Sequence, residues 1–149
     1  MSWVTKIYPF SKLWGNIYFH GSRKEKKIAL TFDDGPCKET LEVLNVLKKY
    51  DAKGTFFVLG YKIEDNIKIL ESIIKQGSEI GNHSFDHPKF NFKSKYFVEK
   101  QITATDEILG KYGFKTNLFR PPFGNFSFNL LSISKKLNKN IILWDVDPS

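Results

Sequence analysis

The sequence predicts one α/β domain: a parallel sheet of about five strands with flanking helices. Three observations predict it. Short apolar runs alternate with segments of helical periodicity, the pattern of βαβ units. The chain has 149 residues, 41% hydrophobic and 26% charged, enough for one packed core and too few for two. Polar, titratable residues gather just after the apolar runs, where parallel sheets carry their ligand sites. The length also falls short of the about 250 residues of a complete (β/α)8 barrel, and the composition excludes a disordered tail, a collagen-like fibre and a disulfide-stapled miniprotein.

The elements follow in order. Residues 1–27 read as an irregular segment that ends in the charged run from Arg23 to Lys27, and residues 28–149 as the domain. Residues 28–32, Ile-Ala-Leu-Thr-Phe, form a short buried strand that runs into Asp33-Asp34-Gly35-Pro36, where Gly-Pro is a stop signal. Residues 38–50 form a helix, with Leu41, Leu44, Val46 and Leu47 near helical spacing. Residues 55–59 are a second strand, closed by Gly60. Residues 64–76 are an amphipathic helix with Ile67, Leu70, Ile73 and Ile74 on one face. A short strand at 78–81 follows Gly77. Residues 93–111 carry a helical stripe of Val98, Ile102, Thr105 and Leu109. Residues 118–120 are a fourth strand ended by Pro121-Pro122. Residues 128–137 form a fourth helix and residues 141–146 a fifth strand.

Lysine and arginine outnumber aspartate and glutamate 23 to 16, a net charge of +7, and only Arg23 and Arg120 are arginines. Lysine is a mobile, strongly hydrated point charge, so a solvated surface accounts for most of this excess. Attraction to an anionic polymer, a charged cell-wall glycan or a nucleic acid, is the sharper reading. Zinc-finger spacing, a basic helical region and a basic–aromatic ladder are all missing, so no nucleic-acid partner is expected. The single cysteine, Cys37, cannot form an internal disulfide. The first residues lack the 7–15-residue apolar run of an export signal, and no stretch approaches the ~20 apolar residues of a membrane span. The chain as written therefore reads as soluble and unexported.

The chemistry-bearing residues stand at the strand ends. His83 and His87 are four residues apart, a spacing that puts two imidazoles on one side of a helical turn within reach of one ion. Two nearby histidines also occur as ordinary surface or core residues, and the remaining histidine, His20, reads as surface. Asp33 and Asp34 are adjacent and point in different directions, so one can bind a metal while the other acts otherwise; a turn cap before Gly-Pro is the plainer use of such a pair. Two histidines and one aspartate make a three-ligand set with room for water, as in catalytic zinc sites. Such a metal lowers the pKa of water to about 7, and the second aspartate can then serve as general base. Arg120 can orient a carboxylate as an ion pair, or stand as a surface arginine. The rigid Pro121-Pro122-Phe123-Gly124 run can turn a main-chain N–H toward a developing oxyanion.

Thr31-Phe32-Asp33-Asp34-Gly35-Pro36, His83-Ser84-Phe85-Asp86-His87 and Arg120-Pro121-Pro122-Phe123-Gly124 resemble, in order and spacing, the first three motifs of the polysaccharide deacetylases, the fourth carbohydrate esterase family. Trp144-Asp145-Val146-Asp147-Pro148 resembles the start of the fourth. The resemblance covers about residues 26–149. It implies a distorted (β/α)7 barrel and metal-dependent hydrolysis of N-acetyl groups on a glycan built on N-acetylglucosamine or N-acetylmuramic acid, such as chitin oligomers or peptidoglycan. It assigns Asp33 as the base, Asp34, His83 and His87 as ligands of a divalent metal, and Arg120 as the residue that orients Asp33. Zinc is the expected ion, with cobalt, nickel and manganese as alternatives. Phe123 stands where the family usually has tyrosine and would supply an oxyanion-hole N–H. Trp144 would wall the pocket, or serve as a core tryptophan. Cys37 is expected to be a bystander.

The chain departs from the family where it ends. The fifth motif, whose histidine is the family's general acid, is absent, and Asp147, the residue that would tune that histidine, has none to tune. General acid catalysis contributes roughly 10²–10⁴-fold, so the expectation is an incomplete barrel that is weakly active, or that binds metal or glycan without turnover. A purely structural domain is the third reading. Without further strands, 141–146 would be an exposed apolar edge that invites self-association.

Overall fold

The computed structural model describes residues 17–22, 24–125 and 127–147. Six strands form one sheet: β1 (Ile17–Tyr18), β2 (Leu30–Gly35), β3 (Gly54–Val58), β4 (Glu79–Asn82), β5 (Leu118–Phe119) and β6 (Asn140–Ile142). Four α-helices connect them: α1 (Lys38–Lys49), α2 (Ile67–Lys75), α3 (Lys95–Lys111) and α4 (Phe128–Lys136). The strand order is β1-β6-β5-β4-β3-β2, and every neighbouring pair is parallel. From β2 to β6 each strand is added on the same side of the last, so the winding never reverses. Right-handed crossovers of constant direction are the construction rule of a (β/α) barrel. Here β1 and β2 are the two edges, and the sheet stays open.

The N-terminal segment is not wholly irregular. Ile17 and Tyr18 pair with Ile141 and Ile142, and the Leu143 N–H donates to the Tyr18 carbonyl at 2.8 Å. Two residues are too few to show a strand period, and only the long-range partner makes them one. Residues 1–16 lie outside the described residues. This pairing corrects the expected exposed edge: β6 is an interior strand, and Ile141, Ile142 and Leu143 are buried. Paired on both sides, β6 offers no free edge for self-association. The strand also ends at Ile142 rather than Val146, so Trp144, Asp145 and Asp147 lie on the segment beyond it.

The helices start and stop on local chemistry. The Ser94 hydroxyl accepts from the Phe97 N–H and caps α3, and the Ser127 hydroxyl does the same for Leu130 on α4. Two apolar stripes differ from expectation. On α1, Leu44 and Leu47 are buried with Thr40, while Leu41 and Val46 are exposed; on α2, Ile69 joins Leu70 and Ile73 in the core and Ile74 faces outward. The α2 helix begins three residues later than expected, after a 3₁₀ turn at Glu64–Asn66. The stripe of Val98, Ile102, Thr105 and Leu109 on α3 is buried throughout.

Strand alternation divides the interior. Phe56 and Val58 of β3 and Ile80 of β4 pack with Leu44, Leu70 and Ile73 from α1 and α2. A second cluster joins Val98, Ile102 and Leu130 from α3 and α4 to Phe119 and Ile141. Phe57 points to the opposite sheet face, and β4 answers it with Gly81, where a Cβ would stand 2.4 Å from the Phe57 ring. That second face carries the site.

Candidate active site

At the carboxyl end of β2, consecutive aspartates must serve one site, although neighbours on a regular strand face opposite sides. The structure solves this with a bulge. Phe32 pairs with Phe56 and Gly35 with Val58, so β2 spends one extra residue between them. Asp34 takes a left-handed backbone conformation, φ +65°, one of the few that aspartate tolerates. Both carboxylates then reach the same side. The Lys62 ammonium donates to the Asp34 carbonyl at 2.9 Å.

The two histidines follow β4, and they do not sit on a helical turn. Residues 83–87 form a loop in which Ser84 and His87 have φ of +72° and +61°. Such a conformation persists only where surrounding contacts over-determine it, and here all five backbone N–H groups have acceptors. The His83 N–H donates to the Val58 carbonyl, that of Ser84 to Asn82 Oδ1, those of Phe85 and Asp86 to Gln101 Oε1, and that of His87 to Ser84 Oγ. The imidazoles consequently meet edge to face, with centroids 5.0 Å apart.

His83 is buried, and its Nδ1 lies 2.7 Å from the Arg120 carbonyl oxygen. A carbonyl only accepts, so Nδ1 carries the hydrogen and Nε2 offers its lone pair to the cluster. Burial holds the His83 pKa below the ordinary histidine range, with the Asp33 charge opposing the shift. The neutral ring is the ligand form.

Arg120, at the end of β5, is nearly sealed. Its Nη1 donates to Asp33 Oδ1 at 2.8 Å and Thr31 Oγ1 at 2.9 Å, Nε to the Ile142 carbonyl and Nη2 to the Leu143 carbonyl, each at 3.1 Å. The guanidinium stands 4.2 Å from the Phe57 ring centre and 5.5 Å from that of Trp144. Burial lowers the Arg120 pKa, and the Asp33 charge works against that.

The donor geometry passes a simple test for a metal. Asp34 Oδ1 lies 3.6 Å from His83 Nε2 and 3.5 Å from His87 Nε2, and one donor atom from each of the three residues falls within 4.8 Å of the others. Three ligands at the usual zinc distances around a tetrahedron are separated by roughly 3.3–3.4 Å. The hydrogen bond from His83 Nδ1 to a carbonyl is the outer support that metal-bound histidines usually have. Asp33 is set apart: Oδ1 is taken by Arg120, and Oδ2 lies 3.8 Å from His83 Nε2, at the edge of the cluster.

Other predicted residues fall as follows. Phe123 has φ +59°, is half-exposed, and sets its ring 4.6 Å from that of His87. Trp144 is partly exposed rather than a core residue and covers Arg120 and Gly124, where a Cβ would stand 2.9 Å from the indole. Asp147 is exposed, beyond β6. His20 lies outside the donor cluster and its Nδ1 meets the adjacent Gly21 carbonyl at 2.7 Å. Cys37 likewise stays out of the cluster; its N–H donates to Thr40 Oγ1 at the start of α1. Sequence reasoning missed Thr31, Phe57, Lys62 and Gln101 as site neighbours. Gln101 gave no signal because a polar helix residue reads as a solvated one.

A parallel α/β sheet with an Asp-His-His donor set and an adjacent arginine-held aspartate at its strand ends defines a class of protein: one with a three-ligand, open-sided metal site and a separate carboxylate. The chain belongs to the polysaccharide deacetylase family, which it matches over residues 20–142. It is 42% identical over 126 residues to the peptidoglycan-N-acetylmuramic acid deacetylase PdaC of Bacillus subtilis, covering 83% of this chain and 26% of that one. It is 36% identical over 148 residues to a peptidoglycan-N-acetylglucosamine deacetylase of Bacillus cereus, covering 98% of this chain and 51% of the relative. The crystal structure of the peptidoglycan N-acetylglucosamine deacetylase Bc1960, in complex with an N-oxidanyl-benzamide, superposes with a TM-score of 0.86 at 32% identity, over 96% of this chain and 67% of that one. The chain thus spans about half or less of the length of these two curated relatives.

Proposed function

We propose that this chain carries the metal-dependent hydrolysis of N-acetyl groups on a peptidoglycan-type glycan. The observation that carries the reading is the division of labour between two adjacent carboxylates. Asp34 faces His83 and His87, while Asp33 is pinned by Arg120 through Oδ1 and keeps Oδ2 beside the cluster. Asp34, His83 and His87 would hold a divalent ion, zinc by the nitrogen and oxygen donor set, with cobalt, nickel or manganese as substitutes. Such an ion supplies Lewis acidity and brings the pKa of water to about 7.

The residues of the chain do the rest. Asp33 Oδ2 accepts the proton of the attacking water, and Arg120 holds the carboxylate in its orientation. The Phe123 main chain, turned by its positive φ, is the candidate oxyanion donor. Trp144 walls the pocket, and Asp147 stands at the position that would tune a general-acid histidine. Peptidoglycan as substrate comes from the relatives named above, and it would place the reaction at the cell envelope. A second reading is binding of metal or glycan without turnover, which the three-residue donor set would by itself allow.

The test is acetate release from N-acetylglucosamine oligomers and from peptidoglycan, with zinc supplied. Asp33→Asn should cut the rate by about 10²–10⁴-fold while zinc still binds. Zinc-loaded, folded protein that releases no acetate from either substrate would leave the binding reading in its place.

A further inference from the structure

Two polar clusters of α3 reach the histidine loop, and neither has a part in the chemistry above. Gln101, buried, accepts from two successive loop amides through Oε1, Phe85 at 2.9 Å and Asp86 at 3.3 Å. Asn82, fully buried, accepts from the Ser84 N–H at 2.8 Å through Oδ1. Its Nδ2 donates to the Ile102 carbonyl and to Asp106 Oδ1, each at 2.9 Å, which fixes the amide the right way round. Asp106 Oδ1 also accepts from Lys139 Nζ at 2.7 Å. Lys139 is itself buried, and its ammonium donates a second bond, at 2.7 Å, to the Thr116 carbonyl. A buried ammonium is tolerated only when paired and hydrogen-bonded, so it clamps Asp106, and Asp106 clamps Asn82.

Three of the five N–H groups from His83 to His87 thus end on side-chain amides of Asn82 and Gln101. These side-chain oxygens meet backbone donors that apolar side chains would leave without partners, at a cost in stability. The polar choice also supplies direction. The amide oxygens hold the Ser84, Phe85 and Asp86 N–H groups, and the Ser84 hydroxyl in turn holds that of His87; the loop so fixed aims both imidazoles at Asp34.

We propose that Gln101 and the Lys139–Asp106–Asn82 chain are positioning residues that set the separation of the His83 and His87 ring nitrogens, and hence the affinity and geometry of the metal site; this rests on the metal-site reading given above. The experiment compares wild-type protein, Gln101→Met, Gln101→Glu, Lys139→Met and the ligand variant His87→Ala. Zinc affinity is measured by chelator competition, the visible spectrum is recorded with cobalt(II) bound, and thermal unfolding is followed without metal. Gln101→Met should bind zinc about 10–100-fold more weakly and change the cobalt spectrum. Gln101→Glu keeps an acceptor oxygen and should restore both. Wild-type zinc affinity and cobalt spectrum in Gln101→Met, even with a lowered unfolding temperature, would overturn the proposal and leave α3 a purely supporting role. Should Gln101→Met not fold, Lys139→Met decides through Asn82 by the same two readouts: weaker zinc with an altered cobalt spectrum supports the proposal, and unchanged values overturn it. Wild-type protein that takes up no zinc would instead refute the metal-site reading, and the proposal with it.

Discussion

Arg120 shows how much one side chain can organise. Its five N–H donors in a fixed fork find a carboxylate, a hydroxyl and two carbonyls from two distant segments of the chain. Lysine offers one ammonium and cannot span them. Arg120→Lys should therefore release Asp33 while leaving Asp34 and the histidines in place. The expected outcome is a fall in kcat of at least about 10²-fold with zinc affinity near wild type, measured by acetate release and chelator competition. An equal loss of zinc binding would show that Arg120 supports the ligands as well, through its carbonyl bond to His83. The sequence marked Arg120 as special because it is one of two arginines among 23 basic residues. It did not mark Thr31, whose role depends on meeting Arg120 across 89 positions.

At the scale of elements, the histidine loop is where pattern and structure part. A four-residue spacing suggested a helical turn, yet the segment is a loop with two left-handed residues. Helix periodicity and loop closure can bring the same two rings together, and only the anchoring contacts distinguish them. Gly60 is one such anchor. Its N–H donates to the Ser84 carbonyl at 3.0 Å, and a Cβ there would stand 2.5 Å from Thr105 Oγ1 and 2.7 Å from the Phe85 ring. Gly60→Ala should force the loop and α3 apart. Overpacking of this kind costs about 1–3 kcal/mol, so a thermal midpoint several degrees lower, together with weaker zinc binding, is expected. An unshifted midpoint would mean that Phe85 swings aside without strain. The strand ends behave likewise: the bulge at Asp33-Asp34 leaves no trace in composition, because it is a count of residues against a partner strand.

For the whole molecule, the winding from β2 to β6 stacks five strand ends on one rim, and the aspartates, histidines and arginine converge there from β2, β4 and β5. A ligand that binds only this assembled rim must stabilise the fold. Zinc at about 100 times its dissociation constant should raise stability by about 2.7 kcal/mol, seen as a higher thermal midpoint that disappears in His87→Ala. A midpoint indifferent to zinc in the wild-type protein would contradict the site. The core makes a parallel demand. Ile102 is fully buried between α3 and β5 neighbours, and Ile102→Ala should cost about 2–5 kcal/mol in chemical denaturation. A loss below about 1 kcal/mol would show that the open sheet leaves this cluster room to collapse.

The sequence by itself determined the alternation of strands and helices, the parallel sheet, the stripe on α3, and the identity of Asp33, Asp34, His83, His87 and Arg120 as a converging set. Those features rest on local periodicity and on residue types that few other roles require. The tertiary structure alone decided that Ile17 and Tyr18 are a strand, that β6 is interior, that Trp144 lies over the arginine rather than in the core, and that Gln101, Asp106 and Lys139 stand behind the histidines. Each of these is a contact between residues far apart in the chain. Its energy depends on what a side chain meets after folding, and that partner is not written in the neighbouring residues.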